Sequence, residues 1–121
     1  MNEHTFQVNV VRALQCANIF VFSIPNAQQL LSKIPLNRRG MFVKYLKSEG
    51  MMSGASDLVI LLPKGRVVFL ELKNPYVKYT KQSDTQKEFE KNVAALGFDY
   101  RLIDNFTDIE KFIDEVINEK R

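Results

Sequence analysis

The sequence predicts an α/β domain built on a mixed sheet, and three stretches carry that reading. Two apolar, β-branched runs, Asp57 to Leu62 and Arg66 to Lys73, flank the short turn Pro63-Lys64-Gly65 and read as a hairpin. A capping box, Ser83-Asp84-Thr85-Gln86, starts a helix soon afterwards. A further apolar run, Phe98 to Ile103, follows that helix, and the passage from Val67 to Ile103 is long enough for a parallel crossover. The whole order is helix, strand, hairpin, helix, strand, helix.

Each element has its own signal. Asn2 can cap a first helix running to about Ala17, with Phe6, Val10, Leu14 and Ala17 on one stripe. Glu3 lies in its first turn, where the helix dipole favours an acid, and Gln7 is one turn on. Ile19 to Ile24 is an apolar run stopped by Pro25-Asn26 and reads as a strand. Ala27 to Leu36 reads as a loop or a short helical piece. Asn37-Arg38-Arg39-Gly40 is a basic, breaker-containing patch, and Met41 to Lys47 makes two helical turns carrying Lys44 and Lys47. A loop from Glu49 to Gly54 leads into the hairpin. Asn74-Pro75 ends the second hairpin strand, and Tyr76 to Gln82 is a polar loop with Tyr76, Lys78, Tyr79 and Lys81. Phe89, Val93 and Leu96 form the apolar stripe of the helix after Ser83, which Gly97 terminates. Thr107-Asp108-Ile109-Glu110 is a second capping box, opening a last helix whose core face is Ile109, Phe112, Ile113, Val116 and Ile117.

The turn sets the hairpin register. A two-residue Lys64-Gly65 loop would put Lys64 at positive φ, so a three-residue loop is expected, with Pro63 first and Gly65 left-handed. Leu62 then faces Arg66, and Asp57 faces Glu71 on a shared side, with Cβ atoms roughly 4.5–5.5 Å apart. Lys73, two residues on, shares that side at roughly 6–7 Å along the strand. Two facing carboxylates repel unless something positive sits between them, and a divalent cation does this well. The ordinary alternative is a cross-strand ion pair at a sheet end.

Composition narrows the chemistry. A chain of 121 residues, 45% apolar, suits one domain with one core. One cysteine, Cys16, and one histidine, His4, exclude a disulfide framework and a Cys/His zinc site within a monomer. A metal site would use oxygen ligands, which points to Mg²⁺ or Mn²⁺. No secretory leader and no long apolar run is evident, so a soluble, cytoplasmic protein without membrane contact is expected. The net charge of +3 is uneven: residues 30–91 hold twelve bases and six acids, while residues 92–121 hold four bases and seven acids. A basic middle suggests a polyanion, and basic residues interleaved with aromatics in the 76–82 loop suit phosphate and base contacts. Solvated surface charge is the plain alternative.

An acid opening the second strand with Glu-x-Lys on the third, in an αβββαβ order, resembles the PD-(D/E)xK nuclease superfamily. The resemblance narrows to its VRR-NUC family. It is carried by Ser23-Ile24-Pro25-Asn26, by Lys47 to Leu58, by Phe69-Leu70-Glu71-Leu72-Lys73 and by Ser83-Asp84-Thr85-Gln86, in that order across nearly the whole chain. It implies a restriction-endonuclease-like core and a single stand-alone nuclease domain over 1–121, of the phage or bacterial type. Asp57, Glu71 and Glu3, the acid of the first helix, would be metal ligands, Lys73 the catalytic lysine and Gln86 a site glutamine at the start of the following helix. Ser56 stands where the family usually has proline, and Asn74-Pro75 replaces the more usual basic residue after the lysine. The implied activity is a Mg²⁺- or Mn²⁺-dependent DNA endonuclease selective for Holliday-junction or other branched DNA, acting as a homodimer. Arg38, Arg39, Lys44, Lys78 and Lys81 would hold the DNA backbone. Two competing readings are a non-catalytic DNA-binding or assembly module on this fold, and a plain α/β interaction protein.

Overall fold

The computed structural model describes residues 3–25, 30–75 and 82–119. The expected cap at Asn2, and Lys78 and Lys81 with the rest of the basic loop, lie outside the described residues. The elements are α1 (Glu3–Cys16), β1 (Phe20–Ser23), a 3-10 turn (Leu36–Arg38), α2 (Arg39–Ser48), β2 (Leu58–Leu62), β3 (Arg66–Leu72), α3 (Asp84–Ala95), β4 (Asp99–Ile103) and α4 (Phe106–Glu119). The sheet order is β1-β2-β3-β4. β1 and β2 pair antiparallel, as do β2 and β3, while β4 runs parallel to β3 beyond the α3 crossover. The mixed α/β architecture is the one expected.

The hydrophobic pattern assigns the two faces. Leu58, Ile60 and Leu62 of β2 and Val68, Leu70 and Leu72 of β3 share one face, as the two-residue period of a strand requires. Against them α1 lays Phe6, Val10 and Leu14, and α4 lays Ile109, Phe112 and Val116, all buried. On the opposite face the Phe69 ring meets Phe89 of α3 edge-on at 5.4 Å and Phe98 at 5.9 Å. Glu71 belongs to this second face, two residues beyond Phe69. Two helices are turned sharply into the strands that follow. After α1, the Ile19 N–H bonds the Leu14 carbonyl across left-handed Asn18; after α3, the Phe98 N–H bonds the Val93 carbonyl across Gly97.

Leu62 pairs with Arg66 and Leu58 with Leu70, the register read from the turn. Within the loop the expectation needs one correction: Lys64 is left-handed too, at φ 67, beside Gly65 at φ 73. Left-handed turn residues match the twist of the flanking strands, and that outweighs the roughly 1–2 kcal/mol that a side chain costs there. Other departures are local. Arg39 and Gly40 are the first residues of α2 rather than a break. Leu96 is 76% exposed because α3 ends on it, and Ile117 turns outward. α4 begins ahead of the Thr107 box: the Asn105 side chain accepts the Asp108 N–H at 2.8 Å, so Asn105 is the cap. Both positions carry capping residues, and asparagine is the better cap.

Candidate active site at the end of the hairpin

Asp57 lies one residue ahead of β2. Its Oδ2 accepts the Leu72 N–H at 2.7 Å and its carbonyl accepts the Ile24 N–H at 2.9 Å. The residue therefore ties the exits of β1 and β3 together while continuing the register that sets it against Glu71. Ser56 before it is fully buried, and its hydroxyl donates to the Leu58 carbonyl at 3.1 Å. That bond curls the backbone at the mouth of β2, where a proline would have constrained it by its ring.

Glu71 is only 2% exposed, an uncommon place for a carboxylate. Its Oε1 accepts the Gln86 Nε2–H at 2.7 Å and stands 4.0 Å from the Lys73 ammonium. Its Oε2 is buried with no partner among the described residues. The Lys73 ammonium donates to Gln86 Oε1 at 2.8 Å, and the Lys73 main-chain N–H bonds the Ile103 carbonyl at 2.9 Å, carrying the β3–β4 pairing one residue further. Gln86 completes the group and the start of α3 together. Its Oε1 accepts the Ser83 N–H at 2.9 Å while its own N–H bonds the Ser83 hydroxyl at 3.2 Å. The cap and the polar cluster are one network.

Burial first, and then the Asp57 charge beside it, push Glu71 from 4.5 up to about 8, against the pull of Lys73. Burial raises Asp57 as well, opposed chiefly by the Leu72 N–H, and Glu3 adds to the rise. A buried and a half-buried carboxylate side by side, with one buried oxygen unsatisfied, are a cluster short of positive charge. Asp57 and Glu71 are therefore oxygen donors suited to a hard divalent ion. Glu3 lends its field to the pair from α1, but among the described residues no three Asp, Glu, His or Cys side chains are grouped closely enough to hold a metal.

Two clefts meet at Asp57. One, of about 1100 Å³, runs between α1 and β1 and takes in Glu3, Arg12 and Lys33. The other, of about 610 Å³, reaches the Met51–Ala55 loop and the start of α3, with Lys73 and Gln86 in its wall. Arg38, Arg39 and Lys44 line neither of them. Arg38 and Lys44 are exposed, whereas Arg39 spends its Nε–H on the Ile34 carbonyl at 2.9 Å.

No family model matches the chain, and no curated protein does. A solved structure described as a VRR_NUC domain aligns over 93% of this chain and 94% of its own, with a TM-score of 0.62 and 20% identity. The fold is that of a VRR_NUC domain. Three features of this VRR_NUC fold were not singled out from the sequence. Gly54, at φ +84, is pressed against α3 so closely that a Cβ would stand 2.3 Å from the Thr85 carbonyl carbon and oxygen. Gln82 Nε2 donates to Glu90 at 3.0 Å and to the Tyr100 hydroxyl at 3.1 Å; burial raises that tyrosine to about 12. The cleft along α1 is lined by Arg12 and Lys33, which sequence reading counted only as charge. The Ser53-Gly54-Ala55 run was the available signal for the first. The other two depend on contacts between distant segments.

Proposed function

We propose that this chain is a nuclease of the VRR-NUC family that hydrolyses phosphodiester bonds in DNA with Mg²⁺ or Mn²⁺. The observation that carries the proposal is the buried Glu71 beside half-buried Asp57, with an unpartnered Glu71 oxygen and with Lys73 and Gln86 locked beside it. The VRR_NUC-like fold supports the same reading. Asp57 and Glu71 would hold the ion, with Glu3 adding negative charge from α1. When bound, the ion supplies a polarised phosphate and a water ionised near neutral pH.

The chain's own groups supply the rest. Gln86 holds the Lys73 ammonium by a bond of 2.8 Å, which fixes its direction before substrate arrives. Lys73 then offers its remaining N–H groups to a phosphate oxygen, steadying the charge that builds there. Gln86 Nε2–H keeps Glu71 Oε1 occupied and leaves Oε2 as the free donor. Residues 1–121 form one nuclease domain in this reading, acting as a cytoplasmic homodimer on branched or junction DNA. Arg38, Lys44 and, outside the described residues, Lys78 and Lys81 contact the backbone, with Arg39 beside them. The test is cleavage of junction, flap, splayed and linear DNA by the purified chain with Mg²⁺, Mn²⁺ or chelator. Metal-dependent cutting of a branched substrate, lost in Asp57→Asn and Lys73→Ala, is expected. Uncut DNA on every substrate overturns the proposal.

A further inference from the structure

We infer that the α1–β1 groove is a strand-binding channel, in which Arg12 and Lys33 take the phosphates of the nucleic-acid strand on one side of the cut. This rests on the nuclease reading. Asp57 lines both clefts, so a strand with its reacting phosphate at Asp57 and Glu71 has one direction open into each. The two directions differ in charge. Among the described residues, the basic one in the wall of the smaller cleft is Lys73, already engaged by Gln86. In the larger one Arg12 and Lys33 are both exposed, with no acidic partner within 4 Å among the described residues, and His4 lies in the same wall.

Charge is also graded along the groove. Glu3 and Asp57 are acidic neighbours at its inner end, where their fields reach Glu71. Arg12 lies nine residues further along α1, about 13 Å at 1.5 Å per residue. That is several times the roughly 3.4 Å rise of one nucleotide, so Arg12 is set back from the reacting phosphate by more than one strand step. Arg12 is therefore placed to contact a flanking phosphate. The wall that carries it is fixed, because Phe6, Val10 and Leu14 on the other side of α1 are sunk in the core. A rigid helix face with Arg12 set back from an acidic centre, and Lys33 on the same groove, is complementary to a polyanion whose central charge is met by an ion and whose flanking charges need bases.

The experiment measures affinity against salt for a fluorescent junction DNA, in chelator, with wild type and with Arg12→Ala/Lys33→Ala. Two lost phosphate contacts should reduce the log–log salt slope by about 1.4–1.8, with unchanged melting because both side chains are exposed. Cleavage should weaken through KM while the products stay the same. A second measurement maps the strand directly: a photo-crosslinker at Gln15, which lines the groove, should react with nucleotides on one side of the cut only. An unchanged slope, or crosslinks scattered on both sides, in a protein that still binds and cuts, overturns the groove and leaves the nuclease reading standing. Wild type that neither binds nor cuts DNA overturns both.

Discussion

Gln86 is asked to do two things by one side chain. Its carbonyl oxygen caps α3 and holds Lys73, and its amide nitrogen holds Glu71. The Ser83-to-Gln86 spacing offered the cap and the family resemblance the site role; the structure joins the cap to the Lys73 and Glu71 side chains. Gln86→Glu separates them, because a glutamate caps as well and is favoured at a helix start. It would, however, replace the N–H that Glu71 accepts with another anionic oxygen. The variant should fold and melt near normally, yet cleave at least about tenfold slower, equivalent to roughly 1.4 kcal/mol on the barrier. Single-turnover rates beside melting curves decide it, and a normal rate would reduce Gln86 to a cap. Glu71 gives a second prediction at this scale. Its ionisation is raised from 4.5 to about 8 in the folded chain, so between those values the native state binds the extra proton. Stability of the metal-free protein should therefore be full below about 4.5 as far as this group is concerned, and fall as pH rises towards 8. Glu71→Gln, which cannot ionise, should flatten that slope in urea titrations at several pH values while abolishing cleavage.

At the scale of elements, the hairpin was legible because its turn fixes a register and the register fixes faces. Pro63 and Gly65 were enough to bring Asp57 to Glu71 without any knowledge of the rest of the chain. The start of α4 was misread because two overlapping signals, at Asn105 and Thr107, compete within two residues, and only the bonds formed decide between them. Asn105→Ala should cost roughly 0.5–2 kcal/mol in denaturant unfolding, and Thr107→Ala much less. Equal losses would return the cap to Thr107. Gly54 was missed for a different reason: the run of small residues marks a close approach, but its neighbour, Thr85, is remote in sequence. Gly54→Ala meets both a positive φ and a backbone it cannot displace without moving α3. It should cost roughly 1–3 kcal/mol and carry Gln86 out of line, so that rate falls along with stability. A stable, fully active Gly54→Ala protein would show that the loop and α3 are not locked together.

For the molecule as a whole, the element order and the two faces of the sheet could be read from periodicity, but the clefts could not. Arg38, Arg39 and Lys44 stood out as a basic segment, yet the two clefts that meet at Asp57 are lined by other residues, from α1, the segment around Lys33 and the Met51–Ala55 loop. Which charges surround a site depends on tertiary placement, which neither spacing nor composition encodes.

In the proposed metal site, folding, protons and metal would be coupled through Glu71. Below pH 8 an ion bound at Asp57 and Glu71 must displace the proton that burial holds on Glu71, so apparent metal affinity should climb with pH and level off above about 8. Metal-free stability moves the other way over the same range. Added Mn²⁺ should therefore raise the melting temperature little near pH 5 and progressively more towards pH 8, since ligand binding to the native state adds RT ln(1 + [L]/Kd). Chelator should reverse the gain, and Glu71→Gln should lose most of it at every pH. A melting shift with Mn²⁺ that is independent of pH, or that persists in Glu71→Gln, would place the ion on carboxylates other than Asp57 and Glu71.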